Sequence, residues 1–334
     1  MTTPEIGLVT LVVVLALTAS AQGESSLPDH LQRHKLPEPV LRPTHRAGDF
    51  DSDMVDCPQV LRWGDRWLMQ YTGFDGQRYR IGVAESNDLV HWERRGMILD
   101  AGAEGEWDHG SAGGGWLIRK HGWWYLFYCG FPLPGYEVGP GRTGLARGRD
   151  IWHLEKLPQA PVLEPSPGDE WDSGGIYKAA VYEIEGRYWM FFNAKNKAGD
   201  WVEQTGLATS TNLVHWEKHQ GNPILRVGPP GSWDSRFASD PVLTRIGGVW
   251  HLFYYGFDGR QACDGVALSN GGSLVDWAKL PANPILRPGP PGSYDCLHAH
   301  KPFVLEHRGV FYHFYCAVSE TERTIALATS RPLR

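Results

Sequence analysis

The 334-residue chain carries 32 Lys and Arg against 38 Asp and Glu, a net charge of -6, and 12% of its residues are aromatic, with 15 Trp. The basic residues are scattered and form no stripe, which argues against a nucleic-acid partner. Five Cys cannot all pair within the chain and none of their spacings is that of a zinc site, so a metal-stapled or disulfide-dense scaffold is also set aside.

The first element is an apolar run from Ile6 to Leu17, followed by Ala19-Ser20-Ala21. The run is shorter than the about 20 residues that a spanning helix needs. The small-x-small sequence after it has the form of a signal-peptidase site, although Glu5 stands where a Lys or Arg is usual. Residues 1–21 therefore read as a signal peptide, and the rest as secreted or periplasmic, without membrane attachment. Residues 22–35 are polar and are expected to be poorly ordered.

From residue 36 to 334 one repeat runs through the chain, which makes a single domain. An aromatic residue is followed by an acid at Phe50-Asp51, Trp107-Asp108, Trp171-Asp172, Trp233-Asp234 and Tyr294-Asp295. Apolar triplets recur at Pro39-Val40-Leu41, Met97-Ile98-Leu99, Pro161-Val162-Leu163, Pro223-Ile224-Leu225 and Pro284-Ile285-Leu286. A Trp closes the units at Trp92, Trp152, Trp216 and Trp277, at intervals of about 60 residues.

Each unit reads as four short strands rich in β-branched and aromatic residues. In the fourth unit they are Pro241–Arg245, Val249–Tyr255, Asp264–Ser269, and Trp277 through the triplet. No segment sustains a 3.6-residue apolar period, so no helix competes. Four antiparallel strands per repeat predict an all-β, five-bladed β-propeller. Leu36–Arg42, a triplet with no unit before it, is expected to complete the last blade and cover its edge.

The turns after the first and third strands are short, whereas the connections Gly130–Arg142 and Lys195–Glu203 are long. In an up-and-down blade the long connections share one side, which is where a site is expected.

Repetition separates scaffold from chemistry: a residue present in every unit serves the unit. The five Asp after the aromatics are therefore read as scaffold, accepting backbone N–H groups in a turn. Two columns at the entries of the first strands vary instead. One runs Asp56, Gly113, Tyr177, Ser239, His300, and the next Cys57, Gly114, Lys178, Asp240, Lys301. Asp56, Lys178, Asp240, His298, His300 and Lys301 are expected to meet at the mouth of the central channel. Carboxylates beside cations have their pKa values pulled apart, as acid/base chemistry requires. The bland alternative is a buried Asp240–Lys178 ion pair.

In the third unit Asn193-Ala194-Lys195-Asn196 replaces the Tyr-x-Gly-Phe of units one, two and four, and Trp201 and Glu203 follow. Tyr177, Lys178, Asn193, Lys195, Trp201, His298 and Lys301, with His109 beside the second-unit acid, are the substrate-binding candidates. Trp201 offers a stacking surface for a sugar and Glu203 a proton donor.

The recurring Asp-Pro-Val-Leu, Gly-x-Trp-x-x-Phe-Tyr, Gly-Leu-Ala-x-Ser and Leu-Val-x-Trp segments resemble those of the five-bladed β-propeller glycoside hydrolases, the superfamily of families 32, 43, 68, 117 and 130. The resemblance covers nearly the whole chain after residue 36 and implies acids on inner strands around the channel, with Asp56 as the first-blade base or nucleophile. The chain departs from it in having Asp56-Cys57-Pro58, Ser111-Ala112-Gly113-Gly114-Gly115 without an acid, and Tyr177-Lys178 where family 43 places its donor. Family 117 implies a histidine acid, for which His300 is the candidate. No cofactor is called for, although a channel Ca2+ is compatible with the superfamily.

The expected function is hydrolysis of O-glycosidic bonds in polysaccharide-derived oligosaccharides. Asp56 serves as base or nucleophile, Asp240 tunes it or shares acid duty, and His300 or Glu203 donates the proton. The alternatives are a glycan phosphorylase using Lys178, Lys195, Lys301 and Arg142, and a non-catalytic carbohydrate-binding propeller. A Cys263–Cys296 bridge is compatible with an oxidising compartment.

Overall fold

The computed structural model describes residues 27–158, 160–197 and 201–333. The expected signal peptide, residues 1–21, lies outside the described residues. The described chain is all-β apart from one 3-10 turn at Asp29–Leu31. Its strands in order are β1 (His34–Lys35), β2 (Met54–Trp63), β3 (Arg66–Phe74), β4 (Tyr79–Ser86) and β5 (Glu93–Leu99). There follow β6 (Ser111–Lys120), β7 (Trp123–Phe131), β8 (Arg142–Gly148), β9 (Glu155–Lys156), β10 (Gly175–Ile184), β11 (Arg187–Lys195), β12 (Glu203–Ser210) and β13 (Glu217–Lys218). The last are β14 (Phe237–Ile246), β15 (Val249–Phe257), β16 (Ala262–Ser269), β17 (Trp277–Lys279), β18 (His298–His307), β19 (Val310–Val318) and β20 (Arg323–Thr329).

Each set pairs antiparallel in chain order: β2 to β5, β6 to β9, β10 to β13, β14 to β17, and β18 to β20. The apolar triplets return to the third strands, with bridges Thr143↔Leu163, Thr205↔Leu225, Asp264↔Leu286 and Leu41↔Ile325. Three closing Trp are tied down alike, as Trp92, Trp216 and Trp277 donate Nε1–H to the carbonyls of Leu89, Leu213 and Leu274. Trp152 is the exception and is exposed.

The first strands of the five sets touch in a closed cycle. Gln59 in β2 exchanges two hydrogen bonds with Leu117 in β6, and Trp116 in β6 donates to the Val181 carbonyl in β10. Tyr182 in β10 accepts from Leu243 N in β14, and Thr244 in β14 donates to the Val304 carbonyl in β18. Lys301 in β18 reaches Asp56 in β2, which returns the cycle to its start.

The five repeated Asp are scaffold; Asp295 accepts a backbone donor of the kind expected, Gly289 N at 3.1 Å, while the further partners are side chains. Asp51, Asp108, Asp234 and Asp295 each accept the hydroxyl of a second-strand Tyr (Tyr71, Tyr128, Tyr254 and Tyr315) at 2.9 to 3.1 Å. The third set has Phe192 at that position, stacked on Trp171, and Asp172 takes Ser166 instead. Each Asp also pairs with a cation from the outermost strand: Arg94, Lys156, Lys218, Lys279 and, in the last set, Lys35. The acids thus tie loop, second strand and outer strand together.

Lys35 identifies β1 as the outer strand of the last set. β1 pairs antiparallel with β20, placing Lys35 opposite Ala328 just as Lys218 lies opposite Ala208 and Lys279 opposite Ala267. The segment completing this sheet therefore begins at His34, two residues before the expected Leu36. Residues 27–35, expected to be poorly ordered, are held because Leu31 is fully buried and Arg33 Nε donates to His313 Nδ1 at 2.6 Å. All five Cys are free, so the Cys263–Cys296 bridge is not formed; Cys129 and Cys316 are buried thiols as expected.

Candidate active site

At the entry of every first strand the pairing register slips, between Asp56 and Gln59, Gly113 and Trp116, Ile176 and Ala179, Ser239 and Val242, and His300 and Phe303. A bulge there bends the strand and re-aims its side chains. Cys57, Asp240 and Lys301 consequently sit at φ 49°, 49° and 60°, and Gly114 at 58°. A left-handed backbone costs a residue with a Cβ about 1–2 kcal/mol. Strain held at one structural position in three sets, each presenting an ionisable side chain, is the kind that collects at functional sites.

The bulges turn both variable columns into one cavity of about 380 Å3. Of the predicted site residues it gathers Asp56, Tyr177, Lys178, Asn193, Trp201, Glu203, Asp240, His298, His300 and Lys301. Lys195 stands just behind the wall, its ammonium 3.7 Å from the centroid of the Trp201 ring and 5.7 Å from that of Tyr177. His109 is not on the wall: it sits in the loop before β6, and its predicted contact with substrate is not supported. The third-set register places Phe192-Asn193-Ala194-Lys195, one residue earlier than expected, opposite Tyr-x-Gly-Phe. Asn193 replaces an aromatic-strand position facing the cavity.

The carboxyls occupy unlike environments. Asp56 Oδ2 accepts from Lys301 Nζ at 2.8 Å and Arg323 Nη1 at 3.1 Å, while Oδ1 accepts from Cys57 N at 2.7 Å. Burial pushes the Asp56 carboxyl up, but Lys301 and Arg323 outweigh it and hold the group well below the usual carboxylate range. Glu203 is oriented by four donors: Trp201 Nε1 at 2.7 Å on Oε1, with Ser239 Oγ at 2.7 Å, Asn193 Nδ2 at 3.1 Å and Tyr255 OH at 3.5 Å on Oε2. Asp240 is buried with Oδ2 lacking any partner among the described residues, and Lys178 Nζ is likewise buried and unpartnered. They do not form the ion pair that the bland reading required. Burial raises Asp240, with Lys301 and Lys178 opposing.

His300 lines the cavity, but its surroundings do not favour the part of proton donor expected of it. Its Nδ1 lies 3.2 Å from the Cys316 carbonyl, so this nitrogen carries the proton and Nε2 is left as an acceptor. Burial, reinforced by Lys301 and Arg323, holds the imidazole well below its ordinary value and therefore neutral near pH 7. A neutral ring in that tautomer has no proton to give from Nε2.

Sequence reasoning missed Glu137, Tyr136, Arg323, Arg236 and Tyr255, all of which line the cavity. Glu137 is the single acid of the long Gly130–Arg142 connection and supplies the carboxyl that the second first-strand lacks; its loop position and its isolation were the available signal. Burial lifts it to about 7, with Lys301 opposing and Glu203 adding to the rise. Among the described residues no set of three or more His, Cys, Asp and Glu is grouped to hold a metal ion.

Three comparisons bear on the family. The family model for the glycosyl hydrolases family 32 N-terminal domain matches residues 114–252. The chain is similar to the solved structure of BT0996 in complex with RGII, 30% identical with a TM-score of 0.76 over 90% of this chain and 93% of that one. A structure described as a glycoside hydrolase is 29% identical, with a TM-score of 0.75 over the same shares. It is also 24% identical over 132 residues to the 1,2-beta-oligomannan phosphorylase of Thermoanaerobacter sp. (strain X514), which covers 38% of this chain and 44% of that protein. The chain thus spans less than half the length of that curated relative.

Proposed function

Because this chain belongs to the β-propeller superfamily of glycoside hydrolases, we propose that it hydrolyses O-glycosidic bonds in polysaccharide-derived oligosaccharides. In this reading the five antiparallel sets are five blades, the cavity is the loop-side mouth of their shared channel, and the protein works outside the cytoplasm after loss of residues 1–21.

The observation that carries the reading is the convergence of four carboxyls, Asp56, Glu137, Glu203 and Asp240, on one cavity, where paired cations hold Asp56 low while burial raises Glu137 and Asp240. Opposed environments in one site are how a fold divides acid and base duties. Glu203, fixed by four donors, is the carboxylate that attacks the anomeric carbon or activates the water that does so. Asp56, spent on two cations, is a weak base and is better read as the group that locks Lys301 and Arg323 in place. Lys178, Asp240 and Asn193, each with an unpartnered polar atom, await the hydroxyls of a bound sugar.

A phosphorylase is the second reading, favoured by the unpartnered Lys178 ammonium and by the similarity to an oligomannan phosphorylase. Against it, Lys301 and Arg323 both already bind Asp56, which leaves one net positive charge on the trio, whereas a phosphate is usually gripped by several charge-assisted donors. Incubating the protein with an oligosaccharide panel, with and without inorganic phosphate, separates the cases. Reducing sugar released without phosphate supports hydrolysis. Sugar phosphate formed only when phosphate is present replaces it with phosphorolysis. Binding without turnover reduces the protein to a carbohydrate-binding propeller.

A further inference from the structure

The geometry points to Glu137 as the proton donor to the leaving glycosidic oxygen, an assignment that rests on the glycosidase reading above. Glu137 does not come from a first strand. It sits in the connection between β7 and β8, at φ 53°, a left-handed backbone that an ordinary side chain seldom adopts. Its neighbours hold the loop against the wall of the first set. Gly135 N donates to the Gln77 carbonyl at 2.7 Å, Tyr136 OH accepts from Arg323 Nη1 at 2.7 Å, and the Tyr136 ring meets Tyr79 edge-on at 5.7 Å. The strained residue is therefore carried on a loop pinned on both sides, and its carboxyl lines the cavity while making no hydrogen bond or ion pair among the described residues.

The other candidates are committed elsewhere. Asp56 accepts from two cations, Glu203 from four donors, and the His300 proton faces a carbonyl. Asp240 retains a free oxygen, but it lies on a first strand at 3% exposure, deep in the well. The leaving group of an oligosaccharide is the part that must extend out of the well, so its oxygen is met from the rim. The Glu137 loop forms that rim, and it carries three of the exposed large apolar side chains, Leu133, Tyr136 and Val138, as a surface on which a departing sugar can rest. Burial gives Glu137 a proton to donate near neutral pH.

In the step itself the bond from the anomeric carbon to the bridging oxygen breaks, and its electron pair stays on that oxygen, which takes the Glu137 proton to become an alcohol. The water that adds to the anomeric carbon returns one proton to the carboxylates, so only water is consumed.

The test compares leaving groups. Wild type, Glu137→Gln and Asp240→Asn are assayed on a panel of oligosaccharides and on the matching 2,4-dinitrophenyl glycosides, whose leaving group departs without protonation. Glu137→Gln is expected to lose on the order of 10²–10⁴-fold in kcat on the oligosaccharide and less than about tenfold on the dinitrophenyl glycoside. Its melting temperature should be unchanged, and Asp240→Asn should lose similar factors on both substrates. Equal losses on both substrates for Glu137→Gln, or none on either, overturn the assignment. The selective loss found instead in Asp240→Asn would transfer the role to Asp240. A wild type that cleaves neither panel overturns the glycosidase reading itself and the donor with it.

Discussion

Replacing Asp56 by Asn removes the anion that keeps two cations inside the protein. Asp56 is 2% exposed, with Lys301 Nζ at 2.8 Å and Arg323 Nη1 at 3.1 Å from the same oxygen. Removing one partner of a buried pair costs about 3–5 kcal/mol, because the remaining charge is left uncompensated. The amide still accepts one hydrogen bond, so about 3 kcal/mol is expected at neutral pH. With an unfolding entropy of about 2 cal/mol/K per residue, a chain of this length turns that loss into a fall in Tm of roughly 5 °C. The sign of the pH dependence follows from the cause of the shift. The folded carboxyl is held below its unfolded value of about 3.9 by Lys301 and Arg323 acting against burial. Its contribution is fully present above that unfolded value and is lost as pH falls toward the folded one. The gap between wild type and Asp56→Asn should be level from neutral pH to about 5, then shrink by about 1.4 kcal/mol per unit below about 4. Urea unfolding followed by Trp fluorescence across that range measures it. Equal stability at neutral pH, or a gap indifferent to acid, would refute the ion-pair account of Asp56.

Three further outcomes are expected. Ser239→Ala deletes the 2.7 Å bond to Glu203 Oε2 and should lower kcat by about ten- to a hundredfold, since hydrogen bonds to charged groups are worth about 1.5–3 kcal/mol; steady-state kinetics on a cleaved oligosaccharide reads this out. Lys178→Met exchanges a buried, unpartnered ammonium for an apolar chain of similar length, and should raise Tm while weakening oligosaccharide affinity in calorimetric titration. Tyr254→Phe leaves Asp234 without its hydroxyl donor and should cost about 1–3 kcal/mol in denaturant unfolding, with no change in kinetics.

The scaffold was the more legible half because five copies report on one another. The aromatic-acid pairs, the triplets and the strand entries all recur, and the two entry columns fall two and three residues inside the observed strand starts at Met54, Ser111, Gly175, Phe237 and His298. What repetition could not supply was the partner of each repeated residue. Asp234 pairs with Lys279 from a strand 45 residues later, and nothing local to either signals the other. The site was legible where its residues break the repeat at fixed positions, as with Lys178 and Asp240. Glu137 was hidden because a loop has no register, and its inward turn depends on contacts with Gln77 and Arg323 from the first and last sets. The surroundings of His300 were hidden for a related reason: residue type suggests a proton donor, whereas the Cys316 carbonyl decides which nitrogen holds the proton.

The seam between β1 and β20 has a consequence for biosynthesis. Lys35 must find Asp295, and His34 must find Thr329, partners 260 and 295 residues further along the chain. β1 is thus made long before the strand that seats it, and the final set stays without its outer edge until Arg323–Thr329 has been released. A permuted chain in which a linker joins the segment after β20 to the segment before β1, with new ends cut at the Gly64 turn, would carry that edge next to its partner and should refold faster than the natural order.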